Sequence, residues 1–106
     1  MKICIYGAGA VGGLIAAWLA RSGHEVSVVA RGRQLEAIRQ HGLRLRTGSR
    51  IQAFGVRAEA QPEMLGPQDY VVAAVKAQSL QEVAAGIAPL VGPATSIALK
   101  ICERIP

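Results

Sequence analysis

The sequence predicts an α/β fold: an open, mostly parallel sheet with helices on both faces, incomplete at its C-terminal end. Short apolar segments rich in Val and Ile recur along the chain, as is typical of strands that are buried on both faces of a parallel sheet. They alternate with segments long enough for a helix, which indicates repeated strand–helix–strand units with right-handed crossovers. A chain of 106 residues suits one domain over residues 1–106, and a composition that is 51% hydrophobic but 4% aromatic predicts an aliphatic core.

The first unit begins at the N-terminus. Lys2 to Tyr6 is a short β-branched run that predicts a buried strand, and residues 13–21 predict a helix that ends before Gly23. Residues 3–20 carry no charge, so they also have the composition of a signal peptide or a membrane span. The glycines in the middle of this segment and the single lysine before it favour a buried strand–turn–helix unit.

A glycine pattern lies between this strand and this helix. G-x-G-x-x-G at a strand-to-helix turn predicts a Rossmann-like site for a dinucleotide pyrophosphate, although a purely structural glycine-rich turn is the alternative. Gly7 permits the tight turn, Gly9 lets the backbone approach the phosphates, and Gly12 lets the helix pack closely on the strand. The helix N-terminus offers N–H groups and a partial positive charge to the anion. The cofactor-binding residues predicted here are Gly7, Ala8, Gly9, Ala10, Val11 and Gly12.

The rest of the chain continues the alternation of strands and helices. Its middle third predicts a strand at 25–30, a loop at 31–33, a helix at 34–40, a strand at 43–46 and, across a turn at 47–50, a hairpin partner within 51–58. Its last third predicts a loop at 61–67, a strand at 69–76, a helix from the N-cap Ser79 to about Leu90, and a strand at 95–101. Gly92 and Pro93 are expected to stop that last helix.

Arg31 indicates which dinucleotide would bind. In this architecture the residue that follows the second strand meets the adenosine ribose, where a carboxylate favours NAD(H). This chain has Arg31 there, with Arg33 nearby, and the next carboxylate is Glu36. Because an arginine can pair with a 2′-phosphate that a carboxylate would repel, we expect NADP(H) to be preferred. The alternative is a surface arginine that happens to follow a strand.

Lys76 is the candidate for contact with the substrate. It is the first charge after the uncharged run 70–75, and it comes at the carboxyl end of a predicted parallel strand, where ligands of open α/β sheets bind. A cation there could hold a carboxylate or a phosphate. A lysine that merely leaves the core for solvent is the alternative.

Composition argues against several other classes of function. The net charge is +5, but the arginines are dispersed and aromatic side chains for base stacking are almost absent, which disfavours nucleic acid as a partner. Cys4 and Cys102 fall in or beside predicted core strands and have no C-x-x-C or metal-ligand spacing, so we expect reduced buried thiols in a cytoplasmic protein and no metal site. His24 and His41 are isolated beside turn glycines, and neither is assigned a role.

Several segments together resemble ketopantoate reductase (2-dehydropantoate 2-reductase), in its N-terminal half. They are the strand from Met1 with its GAGAVGG turn, Val29-Ala30-Arg31-Gly32, Gly42-Leu43-Arg44-Leu45 and Val72-Ala73-Ala74-Val75-Lys76-Ala77. The resemblance implies an oxidoreductase that uses NADPH to reduce 2-dehydropantoate, a small anionic keto acid, to pantoate in pantothenate biosynthesis. It also implies that the glycine turn binds the pyrophosphate, that Arg31 binds the 2′-phosphate, and that Lys76 lies near the nicotinamide and the substrate as the candidate catalytic residue.

The chain departs from the family's pattern in two places. The family's asparagine in a Gln-Asn-Gly-Ile-Pro segment contacts cofactor and substrate, and alignment on Ile105-Pro106 puts Glu103 at that position. The family's helical C-terminal domain, which carries a catalytic lysine and an acidic residue, is absent from these 106 residues. We therefore expect a truncated NADP-binding domain whose activity alone is doubtful. The alternatives are a non-catalytic dinucleotide-sensing or interaction module, and the N-terminal part of another NADP-dependent dehydrogenase.

An incomplete sheet also bears on assembly. Further strands and a second domain would cover the sheet edge and the cleft, and without them apolar surface and an unpaired strand edge are exposed. We expect a homo-oligomer that pairs through this edge or this apolar surface, and we expect no membrane partner.

Overall fold

The computed structural model describes residues 1–7, 10–75 and 80–101. Seven strands and three helices lie within those ranges. In chain order they are β1 (Lys2–Tyr6), α1 (Ala10–Arg21), β2 (Glu25–Val29), α2 (Gly32–His41), β3 (Leu43–Thr47), β4 (Arg50–Phe54), β5 (Arg57–Glu59), β6 (Gln68–Val75), α3 (Leu80–Gly86) and β7 (Val91–Ile101). Two short 3₁₀ turns, Pro62–Met64 and Ala88–Leu90, precede β6 and β7 respectively.

Five of these strands form one parallel sheet in the order β5-β2-β1-β6-β7. β1 lies at its centre, with Ile3 opposite Val26 of β2 on one side and Tyr70 of β6 on the other. Since the strands are parallel, their carboxyl ends share one edge, and the segments that follow β1 and β2 leave the sheet there. The predicted Rossmann-like α/β fold is confirmed.

The side chains of β1 alternate between two separate hydrophobic cores, one on each face of the sheet. Ile3 and Ile5 belong to the first core, and Cys4 and Tyr6 to the second. The first core also contains Ala16 and Ala17 of α1, Ile38 of α2, and Leu43 and Leu45 of β3. The second also contains Val71 and Ala73 of β6, Val83 of α3, and Leu90. Helices therefore cover both faces, as the sequence predicts.

The hairpin prediction is correct for β3 and β4 and wrong for the end of the segment 51–58. β3 and β4 form an antiparallel pair of their own, whose turn contains Gly48 at a φ of 64°. β5 instead joins the main sheet beside β2, with Ala58 buried opposite Val28. The Arg39 side chain of α2 secures this edge strand, because its Nε donates to the Ala58 carbonyl at 3.1 Å.

Three element boundaries also differ from the predictions. α2 begins at Gly32, so the segment 31–33 is not a loop, and α3 ends at Gly86 and not near Leu90. β7 begins at Val91 and includes Gly92 and Pro93, because the Thr95 hydroxyl accepts from the Gly92 N–H and donates to the Gln68 carbonyl. These side-chain bonds attach the irregular start of β7 to β6.

Among the helices of the described residues, none combines the length and apolar character needed to cross a bilayer. The uncharged segment 3–20 falls within β1, the turn after it and α1.

Candidate functional site

The turn after β1 begins with a glycine in a conformation that other residues rarely adopt. Gly7 has a φ of 97°, in the left-handed region where a side chain would be strained. Its N–H donates to the Val29 carbonyl at the end of β2, with an N···O distance of 3.0 Å. The chain therefore turns sharply at the carboxyl edge of the sheet, which agrees with the role that the sequence assigned to Gly7.

Gly12 lies in the first turns of α1, against the start of the same turn. It is buried, and a Cβ atom built on it would overlap the Gly7 carbonyl oxygen and lie 3.5 Å from the Ala74 Cβ. A residue with a side chain would push α1 away from β1 and β6. Gly12 thus permits the close packing of helix on strand that a pyrophosphate site requires.

α1 supplies the positive end of a helix dipole at this edge. It runs for 12 residues from Ala10 and has no acidic residue in its first turn to neutralise that end. Ala10 and Val11 fall in this first turn, whereas Ala8 and Gly9 lie outside the described residues. The described part of the turn fits a bound pyrophosphate, since it offers a left-handed glycine, a close helix approach and the positive end of the α1 dipole.

Arg31 follows β2 by two residues, at the same edge of the sheet. Its extended backbone, with φ −133° and ψ 158°, precedes the first residue of α2. Its guanidinium Nη2 donates to Glu82 Oε1 in the first turn of α3 at 2.8 Å, and the two side chains are 70% and 63% exposed respectively. The structure thus links Arg31 to a carboxylate 51 positions away in the sequence.

Glu82 also dominates the electrostatics of Arg31. Its hydrogen bond and its charge raise the pKa of the Arg31 guanidinium above its ordinary value, and the Tyr6 hydroxyl adds smaller contributions in the same direction. Arg31 therefore stays cationic throughout the accessible pH range.

Tyr6 lies beneath this ion pair, at the carboxyl end of β1. Its side chain is buried in the second core, and a Cβ atom on Gly86 would overlap its hydroxyl and lie 3.0 Å from its Cζ. The absence of a side chain at Gly86 lets α3 rest on the Tyr6 ring.

Sequence reasoning identified Arg31 but assigned no site role to Glu82 or Tyr6. Glu82 lies within the helix predicted from Ser79 to about Leu90, and Tyr6 at the end of the first predicted strand. The available signal was topological: α3 follows β6, whose neighbour is β1, so the first turn of α3 approaches the edge where β1 and β2 end.

The predictions for Lys76 and Glu103 fall on residues outside the described ranges. β6 is described to Val75, which pairs with Ile101 of β7 at the carboxyl edge. The proposed roles of Lys76 and Glu103 therefore stay predictions.

Cys4 is buried away from this edge and is chemically unreactive. Burial raises the pKa of its thiol to about 11. A thiol that stays protonated is a poor nucleophile and a poor metal ligand. Over the described residues, no three or more His, Cys, Asp or Glu side chains come together as a metal site would need.

Comparison with known families identifies the chain. Residues 3–100 match the model of a family described as ketopantoate reductase PanE/ApbA. The chain belongs to the ketopantoate reductase family. Within that family it is 53% identical over 98 residues to the 2-dehydropantoate 2-reductase of Mesorhizobium japonicum, an alignment that covers 92% of this chain and 30% of the relative. The chain thus spans about a third of its relative and corresponds to the N-terminal, dinucleotide-binding part of these oxidoreductases.

Solved structures agree with the family assignment. A PanE/ApbA family ketopantoate reductase from Ralstonia eutropha is 37% identical, with a TM-score of 0.83 over 92% of this chain and 33% of that one. D-mandelate dehydrogenase, in a ternary structure with NADH and anilino(oxo)acetate, is 27% identical, with a TM-score of 0.83 over 93% of this chain and 32% of that one. The same domain fold therefore occurs in a protein whose bound cofactor is NADH. Since the fold does not decide between NADH and NADPH, the choice depends on individual side chains.

Proposed function

We propose that this ketopantoate reductase domain binds NADP(H), and does so in preference to NAD(H), as the cofactor half of a reductase that converts 2-dehydropantoate to pantoate in pantothenate biosynthesis. The observation that carries the proposal is the position of Arg31, two residues beyond β2 at the edge where the Gly7 turn and α1 begin. This is the position from which a side chain meets the adenosine ribose in such folds.

The arginine supports a phosphorylated ribose for a geometric and an electrostatic reason. A guanidinium can donate two parallel hydrogen bonds to a phosphate, and it keeps its charge at every relevant pH. Arg31 is exposed and lies two residues after β2, where a carboxylate would favour the unphosphorylated ribose of NAD(H).

Each part of the domain has a separate task in this proposal. Residues 7–12 and the N-terminus of α1 bind the pyrophosphate, and Arg31 orients the adenosine end through the 2′-phosphate. When bound, NADPH supplies the hydride that reduces the ketone. Lys76 is proposed to hold the anionic keto acid near the nicotinamide, and Glu103 to contact the cofactor in place of the family's asparagine.

The test is calorimetric titration of the protein with NADPH and with NADH, before and after Arg31→Asp. We expect saturable binding that favours NADPH, and a loss of NADPH affinity of about tenfold or more in the variant, with NADH affinity changed by less than about threefold. Arg44→Asp is the matched control, because Arg44 is an exposed arginine on the separate β3–β4 hairpin.

The outcomes separate the alternatives. Equal losses of NADPH and NADH affinity in Arg31→Asp would refute the 2′-phosphate assignment. Saturable, NADPH-preferring binding would establish a working cofactor domain. If the folded protein binds neither NADPH nor NADH, the glycine turn has only a structural role.

The proposal includes an assembly and a location. Within the described residues, β7 has β6 as its sheet neighbour, and its Val91 and Ile97 side chains are exposed. We therefore expect copies of the chain to associate through the free side of β7. The buried, free Cys4 thiol is consistent with a cytoplasmic protein, and we expect neither nucleic acid nor a membrane as a partner.

A further inference from the structure

The ion pair between Arg31 and Glu82 spans the mouth of the candidate cofactor site. Arg31 follows β2 and Glu82 belongs to the helix after β6, and these two strands flank β1 on opposite sides. The pair therefore crosses over the end of β1, the strand from which the Gly7 turn leaves the sheet. No other salt bridge among the described residues joins the segment that follows β2 to α3.

The same guanidinium that would bind a 2′-phosphate is thus already engaged. Its Nη2 donates to Glu82 Oε1 at 2.8 Å, and a bidentate bond to phosphate needs two N–H groups of one guanidinium edge. A phosphate that approaches Arg31 must displace the carboxylate or share the guanidinium with it. In either case a second negative charge stands beside the incoming one.

The exposure of the pair makes displacement easy. Both side chains are more than 60% exposed, and an ion pair in such surroundings is weak, because water screens its charges and two long side chains lose freedom to form it. The carboxylate therefore weakens phosphate binding without preventing it. A ribose that carries only a hydroxyl group at this position brings no charge and encounters no such competition.

We propose that Glu82 is a specificity-determining residue that competes with the 2′-phosphate for Arg31 and so limits how strongly the domain prefers NADP(H) over NAD(H). This inference rests on the proposed function and adds to it a residue that weakens the preference.

The test is a double-mutant cycle on the two partners, with dissociation constants for NADPH and NADH measured by calorimetry at low ionic strength. Glu82→Gln keeps the size of the side chain and removes its charge. We expect this variant to bind NADPH about threefold or more tightly than the original protein and to bind NADH with unchanged affinity. In the background of Arg31→Gln the same substitution is expected to raise NADPH affinity by less, because no guanidinium remains to be freed and only the repulsion between the carboxylate and the phosphate is removed.

Glu63→Gln is the matched control for net charge. Glu63 is an exposed carboxylate on the 3₁₀ turn before β6, and its neutralisation changes the total charge of the protein by the same amount. A gain of NADPH affinity equal to that of Glu82→Gln would show a general charge effect and overturn the proposal. Thermal melts of each variant check the fold, and Glu82→Ala provides a second neutral variant.

The possible failures are distinguishable. If the original protein binds neither dinucleotide, the proposed function fails and this inference fails with it. If the original protein binds NADPH and Glu82→Gln leaves that affinity unchanged, only the inference fails. A loss of NADH affinity in Glu82→Gln would show that the carboxylate accepts a hydrogen bond from the ribose, which also contradicts competition.

Discussion

At the scale of single residues, the carboxyl edge of the sheet combines groups with opposite requirements. Arg31 is exposed and charged, Tyr6 is buried and polar only at its tip, and Gly7 and Gly12 carry no side chain. Each residue type follows from its place: charge where a ligand would meet solvent, an aromatic ring where α3 rests, and glycine where the backbone turns or packs closely.

The Cys4 thiol should make stability fall in alkaline solution. Its pKa is about 11 in the folded protein against an ordinary value of 9.0, so the unfolded chain loses this proton first. Between pH 9 and pH 11 the folded state binds more protons than the unfolded state, and the free energy of unfolding therefore falls as pH rises. The full effect is about 2–3 kcal/mol.

Urea denaturation at about pH 7.5, 9 and 10.5 gives the free energy of unfolding at each pH and so measures this effect. The quantity to compare is the change in the free energy of unfolding with pH in the original protein against that in Cys4→Ala. In Cys4→Ala the free energy of unfolding should fall less steeply as pH rises. Identical slopes would show that the thiol is not the group responsible.

At the scale of elements, the site depends on how closely α1 approaches β1. The N-terminus of α1 reaches this edge of the sheet because Gly12 allows the helix to pack against the Gly7 carbonyl. The same principle places α3 on Tyr6 through Gly86. Glycines therefore allow both helices that meet at this edge to pack closely on the sheet.

Gly12→Ala should destabilise the protein and weaken dinucleotide binding together. The added Cβ overlaps the Gly7 carbonyl oxygen, so α1 must shift, and overpacking of this kind costs about 1–3 kcal/mol. Urea denaturation measures the first effect and NADPH titration the second. Gly55→Ala is the control, because its Cβ would meet nothing within 4 Å and its φ is not in the left-handed region. Equal stability of the two variants would contradict the close packing.

Some elements were predicted correctly and others were not, and the difference depends on whether neighbouring or distant residues in the sequence determine each element. The β3–β4 hairpin was predictable because its alternating pattern and its Gly48 turn are local. β5 was assigned to the wrong sheet because three residues carry little pattern and their partner, β2, lies about thirty positions earlier. The end of α3 was placed too late because the signal considered, Gly92-Pro93, lies inside β7.

The site divides in the same way. Gly7, Gly12 and Arg31 could be assigned because a glycine pattern and a strand end are visible in a single segment. The contact between Arg31 and Glu82 could not, because 51 positions separate them and only the order of the strands brings them together.

At the scale of the whole molecule, the sheet formed by the described residues has two edge strands of unequal length. β5 is a three-residue edge strand secured by Arg39, whereas β7 is eleven residues long. Short or covered edges resist association, and long open ones favour it. The apolar side chains Val91 and Ile97, which are 40% and 49% exposed, lie along the longer edge.

Sedimentation velocity over a range of protein concentrations tests association through β7. We expect a mass above that of one 11.1 kDa chain at high concentration, and Ile97→Lys should shift the distribution towards the monomer because a charge on an edge strand opposes pairing. Ile51→Lys, at an exposed position of the β3–β4 hairpin, is the control. A monomer mass independent of concentration would rule the association out.

The central position of β1 has a consequence for the order of events during synthesis and folding. β1 precedes the other described strands, yet one of its two neighbours, β6, pairs Tyr70 with Ile3 across 67 positions of sequence. Contacts between such distant segments form slowly, because a long loop must close first. The turn that begins at Gly7 therefore leaves the ribosome before β6 but acquires its full support only when β6 has paired, and dinucleotide binding by a nascent chain would report that β6 has been inserted.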